Sequence, residues 1–210
     1  MKIGITCYPT YGGSGAVATE LGLALAARGH EVHFVSYDQP FRLAGLEERV
    51  FFHQVEMEDY PLFEHPPYAL ALAVALHDTA LRHDLDLVHM HYAIPHAVSA
   101  YLARQMLGDE RGLRIVTTLH GTDITLVGLH PSFHEITRFS IMGSDGLTAV
   151  SDYLKEQTVE GFSVPEKRIQ VIPNFIDTHV WRPARQTCHR AKCASEGAVS
   201  YTHLTLPTKA

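Results

Sequence analysis

Short apolar runs alternate with helix-length segments along most of this chain, and that alternation limits the fold more than any single motif does. Lys2–Thr6 reads as a short strand, followed by the glycine loop Tyr11-Gly-Gly-Ser-Gly15. Val17, Leu21, Ala24, Leu25 and Arg28 then recur at helical spacing until Gly29 closes the helix. Glu31–Ser36 and Val50–Val55 read as strands, and a helix opens at Pro66-Pro67 and runs to about Arg82. Leu85–Met90 is a strand, Ala93–Leu107 a helix and Arg114–Leu119 a strand. A helix starts at Pro131, where Ser132 and Glu135 have capping-box spacing. Gly146–Val150 is a strand, Ser151 caps the helix Asp152–Glu160, and Arg168–Ile172 is the last strand. Strands joined by helix-length connections predict an α/β fold with a parallel, doubly wound, Rossmann-like sheet. No internal repeat is visible.

The pattern stops after about Pro183, and Arg185–Ala210 shows neither a helical nor a strand period. The stretch Val199–Ala210 resembles translated adapter sequence. The expectation is a domain over residues 1–183 and a non-native or disordered tail over 184–210, from a truncated or chimeric gene. Cys188, His189 and Cys193 have the spacing of half a metal site, but they fall in this tail and are set aside.

Composition narrows the partners. The 210 residues carry a formal charge of −6 with no basic cluster, which argues against nucleic acid. Tyr68–Leu81 is interrupted by His77 and Asp78, and is too short and too polar to span a bilayer. Met1–Thr6 reads as a strand rather than a secretory leader. Three cysteines without framework spacing suit a reducing cytosol, so a cytoplasmic protein is expected. Association into a homo-oligomer stays open.

In open α/β sheets, ligands bind beyond the carboxyl ends of the strands. His120-Gly-Thr-Asp123 sits there, although Gly and Asp also suit a plain turn. The first loop follows a strand and precedes a helix. Its glycines let the backbone approach an anion near a helix N-terminus, and Ser14 adds a hydroxyl. Gly13-x-Gly15-x-x-Ala18, with Asp38 after the second strand, also fits a dinucleotide fingerprint. That would suit an NAD-dependent Rossmann oxidoreductase. However, Cys7-Tyr-Pro-Thr-Tyr11 separates the strand from the glycines and makes a wider loop than the fingerprint needs. His89, His91, His96 and His120 raise the question of zinc. An HxH metallohydrolase needs a larger barrel and further ligands, so neither a metal nor a cofactor is expected. Tyr92 reads as a hydrogen-bonding lid on the crevice, with Pro95 shaping the next turn. Ser14, Tyr92, Thr118 and His120 thus come from three strand ends. No nucleophile elbow and no P-loop lysine accompany them.

Several stations of this sequence together resemble the amino-terminal half of a retaining GT-B glycosyltransferase. They are the Gly-Gly-Ser-Gly loop, His120-Gly-Thr-Asp123, Ala149-Val-Ser151 and Val171-Ile-Pro-Asn-Phe-Ile-Asp177. Ile3–Pro9, His91–Ala97 and Thr117–Thr125 are similar to those members that transfer N-acetylglucosamine to L-malate, the first step of bacillithiol biosynthesis. The resemblance implies two Rossmann-like domains, the first gripping the acceptor and the second the UDP-N-acetylglucosamine donor. It implies that Ser14, Tyr92 and Thr118 hold malate, that Gly12, Gly13 and Gly15 approach the donor diphosphate, and that His120 acts at the reacting centre. It implies no metal or cofactor. A donor domain is not recognisable in Arg185–Ala210, so the chain by itself is expected to be inactive. Another GT-B enzyme with a different acceptor is the alternative within the resemblance.

Overall fold

A computed structural model describes residues 1–11, 13–43, 48–58, 65–176 and 178. Gly12, the expected boundary near residue 183, and the tail with Cys188, His189 and Cys193 lie outside the described residues. The chain divides into two units, Met1–Asn174 and Phe175–Ala210, and every strand and helix below belongs to the first.

The seven strands are β1 (Lys2–Thr6), β2 (Glu31–Ser36), β3 (Val50–Gln54), β4 (Leu87–His91), β5 (Arg114–Leu119), β6 (Gly146–Ala149) and β7 (Ile169–Val171). They form one sheet in the order β3-β2-β1-β4-β5-β6-β7, with every pairing parallel. The doubly wound α/β fold expected from the alternation is therefore the fold observed. The α-helices among the described residues are α1 (Gly13–Ala27), α2 (Tyr68–His83), α3 (Val98–Leu107), α4 (Thr122–Thr125), α5 (His134–Gly143) and α6 (Asp152–Phe162).

Alternation within β2 shows how the layers are built. Val32 and Phe34 join Ile3, Ile5 and Ala18 of β1 and α1 in one apolar cluster. Val35 joins Leu72, Leu76 and Ala80 of α2 in another, together with Val88, Met90 and Ile115. Successive strand residues point to opposite faces, so one short strand serves both layers. A third cluster joins Leu119, Ile124, Leu147, Leu154 and Phe162 at the β5–β7 end.

Three helix starts differ from the sequence reading, the first being α1, which begins at Gly13 inside the expected glycine loop. The expected helix Ala93–Leu107 is broken: Ala93–Ala97 is a turn in which Ile94 is extended (φ −127°, ψ 139°) ahead of a cis Ile94–Pro95 bond, and α3 begins at Val98. A residue before proline is pushed out of the helical region, which explains the break. The Ser132/Glu135 capping box does not form. α5 begins at His134 without a side-chain cap, while the Ser132 amide donates to His130 Nδ1 (3.2 Å) and Glu135 lies against the His134 ring (3.0 Å). The Ser151 cap is present, its Oγ accepting from the Leu154 amide at 3.2 Å.

Candidate active site

β1 has β2 on one side and β4 on the other, so the winding direction reverses between β1 and β4. Side connections diverge at such a point and leave a crevice beyond the strand ends. A cavity of about 400 Å³ opens there. Tyr8, just after β1, and Tyr92, just after β4, line it, with ring centroids 5.4 Å apart. Thr122 and Asp123 contribute from beyond β5, and Ile94, Pro95, Phe133 and Ile136 complete a largely apolar wall. The size suits a small-molecule group.

Asp123 holds this wall together. It is 2% exposed, and its carboxylate accepts from the amides of Ala93 (2.9 Å), Gly121 (3.1 Å) and His120 (3.3 Å). The loops after β4 and β5 are thereby tied at one carboxylate. Burial raises the Asp123 pKa, and the donated amide hydrogen bonds oppose that rise. Tyr92 adopts φ 100°, a conformation costly for a side chain with a Cβ. Its amide donates to the Thr118 carbonyl (3.0 Å) and its carbonyl accepts from Ala97 (3.3 Å), which fixes it between the two loops.

Behind Tyr92 lies a file of imidazoles. His91 Nδ1 and His120 Nε2 share one proton at 2.8 Å, and the rings are stacked. His96 donates from Nδ1 to the His91 carbonyl at 2.6 Å. His89 Nε2 bonds the Thr118 hydroxyl at 2.7 Å, and that hydroxyl reaches Thr148 at 2.7 Å. Burial pushes His89, His96 and His120 each down to about 4, and it also holds His91 well below its ordinary value. These rings are therefore neutral at pH 7 and act as hydrogen-bonding groups rather than cations. Cys7 is no nucleophile, because burial pushes its thiol up to about 12.

The residues singled out from the sequence occupy different parts of this region. Tyr92 lines the cavity, and His120 packs on the Tyr92 ring with centroids 5.2 Å apart. Thr118 sits one layer inside, its hydroxyl bonded to His89 and Thr148. Ser14 is buried in the first turn of α1 and is not part of the cavity lining. Gly13 has φ +59° and open space where a Cβ would stand. Gly15 instead packs internally, since a Cβ there would collide with the Tyr8 carbonyl oxygen. Sequence reasoning missed Tyr8, whose place directly after the first strand was the available signal. It placed Asp123 at the strand end without its tie between two loops, because the Ala93 amide it binds lies 30 residues upstream.

Residues 11–180 match the family described as Glycosyltransferase Family 4. The chain belongs to that family. This family 4 chain is 52% identical over 181 residues to N-acetyl-alpha-D-glucosaminyl L-malate synthase of Bacillus anthracis, a match covering 86% of the chain and 47% of that relative. It thus spans about half the length of the curated relative. Among solved structures, a glycosyltransferase from Rickettsia africae superposes with TM-score 0.69 at 21% identity, covering 95% of this chain and 50% of that one. Anabaena Alr3699/HepE in complex with UDP and glucose gives 0.65 at 16% identity, covering 93% and 50%. Both structures share the fold. Family membership sets aside the nicotinamide reading of the glycine loop. No helix among the described residues is long and apolar enough to cross a membrane.

Proposed function

We propose that this chain is the acceptor-binding half of a retaining glycosyltransferase that moves N-acetylglucosamine from UDP-N-acetylglucosamine to the hydroxyl of L-malate. The observation that carries this reading is the 52% identity to a relative with that name. In the proposed reaction the malate hydroxyl oxygen bonds the anomeric carbon as the bond to the UDP diphosphate breaks, and the hydroxyl proton passes to the departing diphosphate oxygen. Tyr92, which lines the cavity, holds malate; Ser14 and Thr118 are assigned to malate by the resemblance, although both lie outside that lining. Gly13 and Gly15, in the first turn of α1, meet the donor diphosphate together with Gly12, where a helix N-terminus favours negative charge. His120, neutral at working pH, donates a hydrogen bond at the reacting centre. Residues 1–183 are the domain, 184–210 are foreign to it, and the donor domain is supplied by sequence beyond this chain. The cytoplasm, where the nucleotide-sugar donor is available, is the compartment of this reading.

A second acceptor is favoured by one feature. Among the described residues, the cavity lining contains Asp123 and no lysine or arginine, and most of it is apolar. A less charged hydroxyl compound would meet that wall without needing a cation for each carboxylate. The test is an assay of the chain and of its full-length counterpart with UDP-N-acetylglucosamine and either malate or a neutral hydroxyl acceptor. The malate reading expects N-acetylglucosaminyl malate from the full-length protein and none from the chain alone, because an unheld donor forfeits positioning worth roughly 7–11 kcal/mol. Preference for the neutral acceptor would establish the second reading, and product from the chain alone would remove the need for a donor domain.

A further inference from the structure

We propose that His33, His53 and His83 form a site for one divalent transition-metal ion of the zinc class. It lies at the β2–β3 edge of the sheet, apart from the glycosyltransferase crevice. The three side chains each offer a ring nitrogen, and these nitrogens all lie within 4.8 Å of one another. They reach this point from three elements: His33 from β2, His53 from the edge strand β3, and His83 from the last position of α2.

The placement is unusual for the strand. His33 is fully buried on the same face as Val35, where a β-branched apolar residue would ordinarily pack. Its ring is held from both sides. Nε2 donates to Glu31 Oε1 at 2.9 Å, which fixes the tautomer and leaves the Nδ1 lone pair facing His53 Nε2 at 2.8 Å. A carboxylate bonded to the far nitrogen of an imidazole is the arrangement that orients metal-ligating histidines and raises their basicity. Phe51 stacks on the same ring, with centroids 5.0 Å apart, and closes that side. The His83 ring packs 4.5 Å from His33 and 5.0 Å from His53, while the Lys2 ammonium anchors the His83 carbonyl at 2.9 Å. The His83 backbone is thus fixed while its ring can turn inward.

Little movement is needed. Tetrahedral zinc with bonds of about 2.05 Å sets its nitrogen ligands about 3.4 Å apart. His33 and His53 would part by about half an ångström, and His83 would close in from the other side. The proton between His33 Nδ1 and His53 Nε2 moves to His53 Nδ1, so every imidazole stays neutral and no proton is lost. Imidazole donors select zinc, copper, nickel or cobalt over calcium and magnesium. Three protein ligands leave one position for water. A metal here would pin the edge strand to β2 and to the end of α2.

Cobalt(II) titration of the chelator-treated chain, followed by visible absorption, tests the site. The expected result is one equivalent with four-coordinate spectra, displaced by zinc. His53→Ala and His83→Ala, at partly exposed positions that the fold tolerates, should each lose the signal while keeping the far-ultraviolet circular dichroism of the parent. Glu31→Gln should bind about tenfold more weakly. A Cys188→Ser/Cys193→Ser double variant should bind like the parent. The proposal is overturned by a folded chain that binds no cobalt, by binding unchanged in both histidine variants, or by binding lost with the two cysteines.

Discussion

Two groups of histidines, at different places on one sheet, are wired in different ways. In β4 and just beyond the β4 and β5 ends, His89, His91, His96 and His120 are joined to a threonine hydroxyl, a backbone carbonyl and each other. At the β2–β3 edge, His33 and His53 face each other, with a carboxylate on the far side of His33 and His83 alongside. The first group is packed in β4 and the loops beyond it that shape a cavity, and its members serve as neutral struts. The second brings one ring nitrogen from each of three elements within 4.8 Å of the others. Imidazole count alone does not distinguish a wall from a ligand set; the identity of each ring's second partner does.

The largest effect that would sharpen this contrast lies in acid. His89, His96 and His120 have folded pKa values near 4, against 6.5 for an exposed imidazole. Between those values the unfolded chain binds more protons, so stability rises with pH and is lost as pH falls from about 6.5 to 4. Thermal melts across that window should fall steeply. His96→Leu, which removes one buried ring, should flatten the fall, and an unchanged slope would show that these rings are not what acid attacks.

Asp123→Ala comes next. It leaves three amides without their acceptor and should lower unfolding free energy by about 3 kcal/mol in urea denaturation. A loss below about 1 kcal/mol would mean that the loops after β4 and β5 do not depend on that carboxylate. The smaller effects test the roles proposed for His120 and Ser14 in the full-length protein. His120→Ala should reduce turnover about 100-fold with little change in malate KM, as expected for a donor acting in the transition state. With the ring neutral above about pH 5, no rate change from His120 should appear between pH 6 and 8. Ser14→Ala should raise malate KM about tenfold with turnover preserved, and the reverse pattern in the two variants would exchange their roles.

Much of the fold was legible because period and punctuation are local. The apolar runs, Gly29 and the Ser151 cap each state their structure within a few residues. The break at Ile94 was also written locally, in the Ile-Pro pair, but the helical pattern from Ala93 onward obscured it. The Ser132 spacing misled because a capping box needs a hydroxyl at the N-cap, and Phe133 holds that position. The strand-end rule brought Tyr92 and His120 to light. It could not show that the Thr118 hydroxyl would turn inward, since His89 and Thr148 reach it only through strand pairing. The His33, His53 and His83 group is spread over 50 residues, and only the crossovers bring it together.

The Asp123 carboxylate has a further consequence. Loops at a binding crevice commonly lose conformational freedom when a ligand arrives, and that loss weakens affinity. Here the turn after β4 and the turn after β5 share one buried acceptor, so they are ordered when the chain folds rather than when the crevice fills. Tyr92 and His120 then behave as parts of one rigid jaw. A ligand touching either residue meets a surface already set, and selectivity follows from shape more than from adaptation.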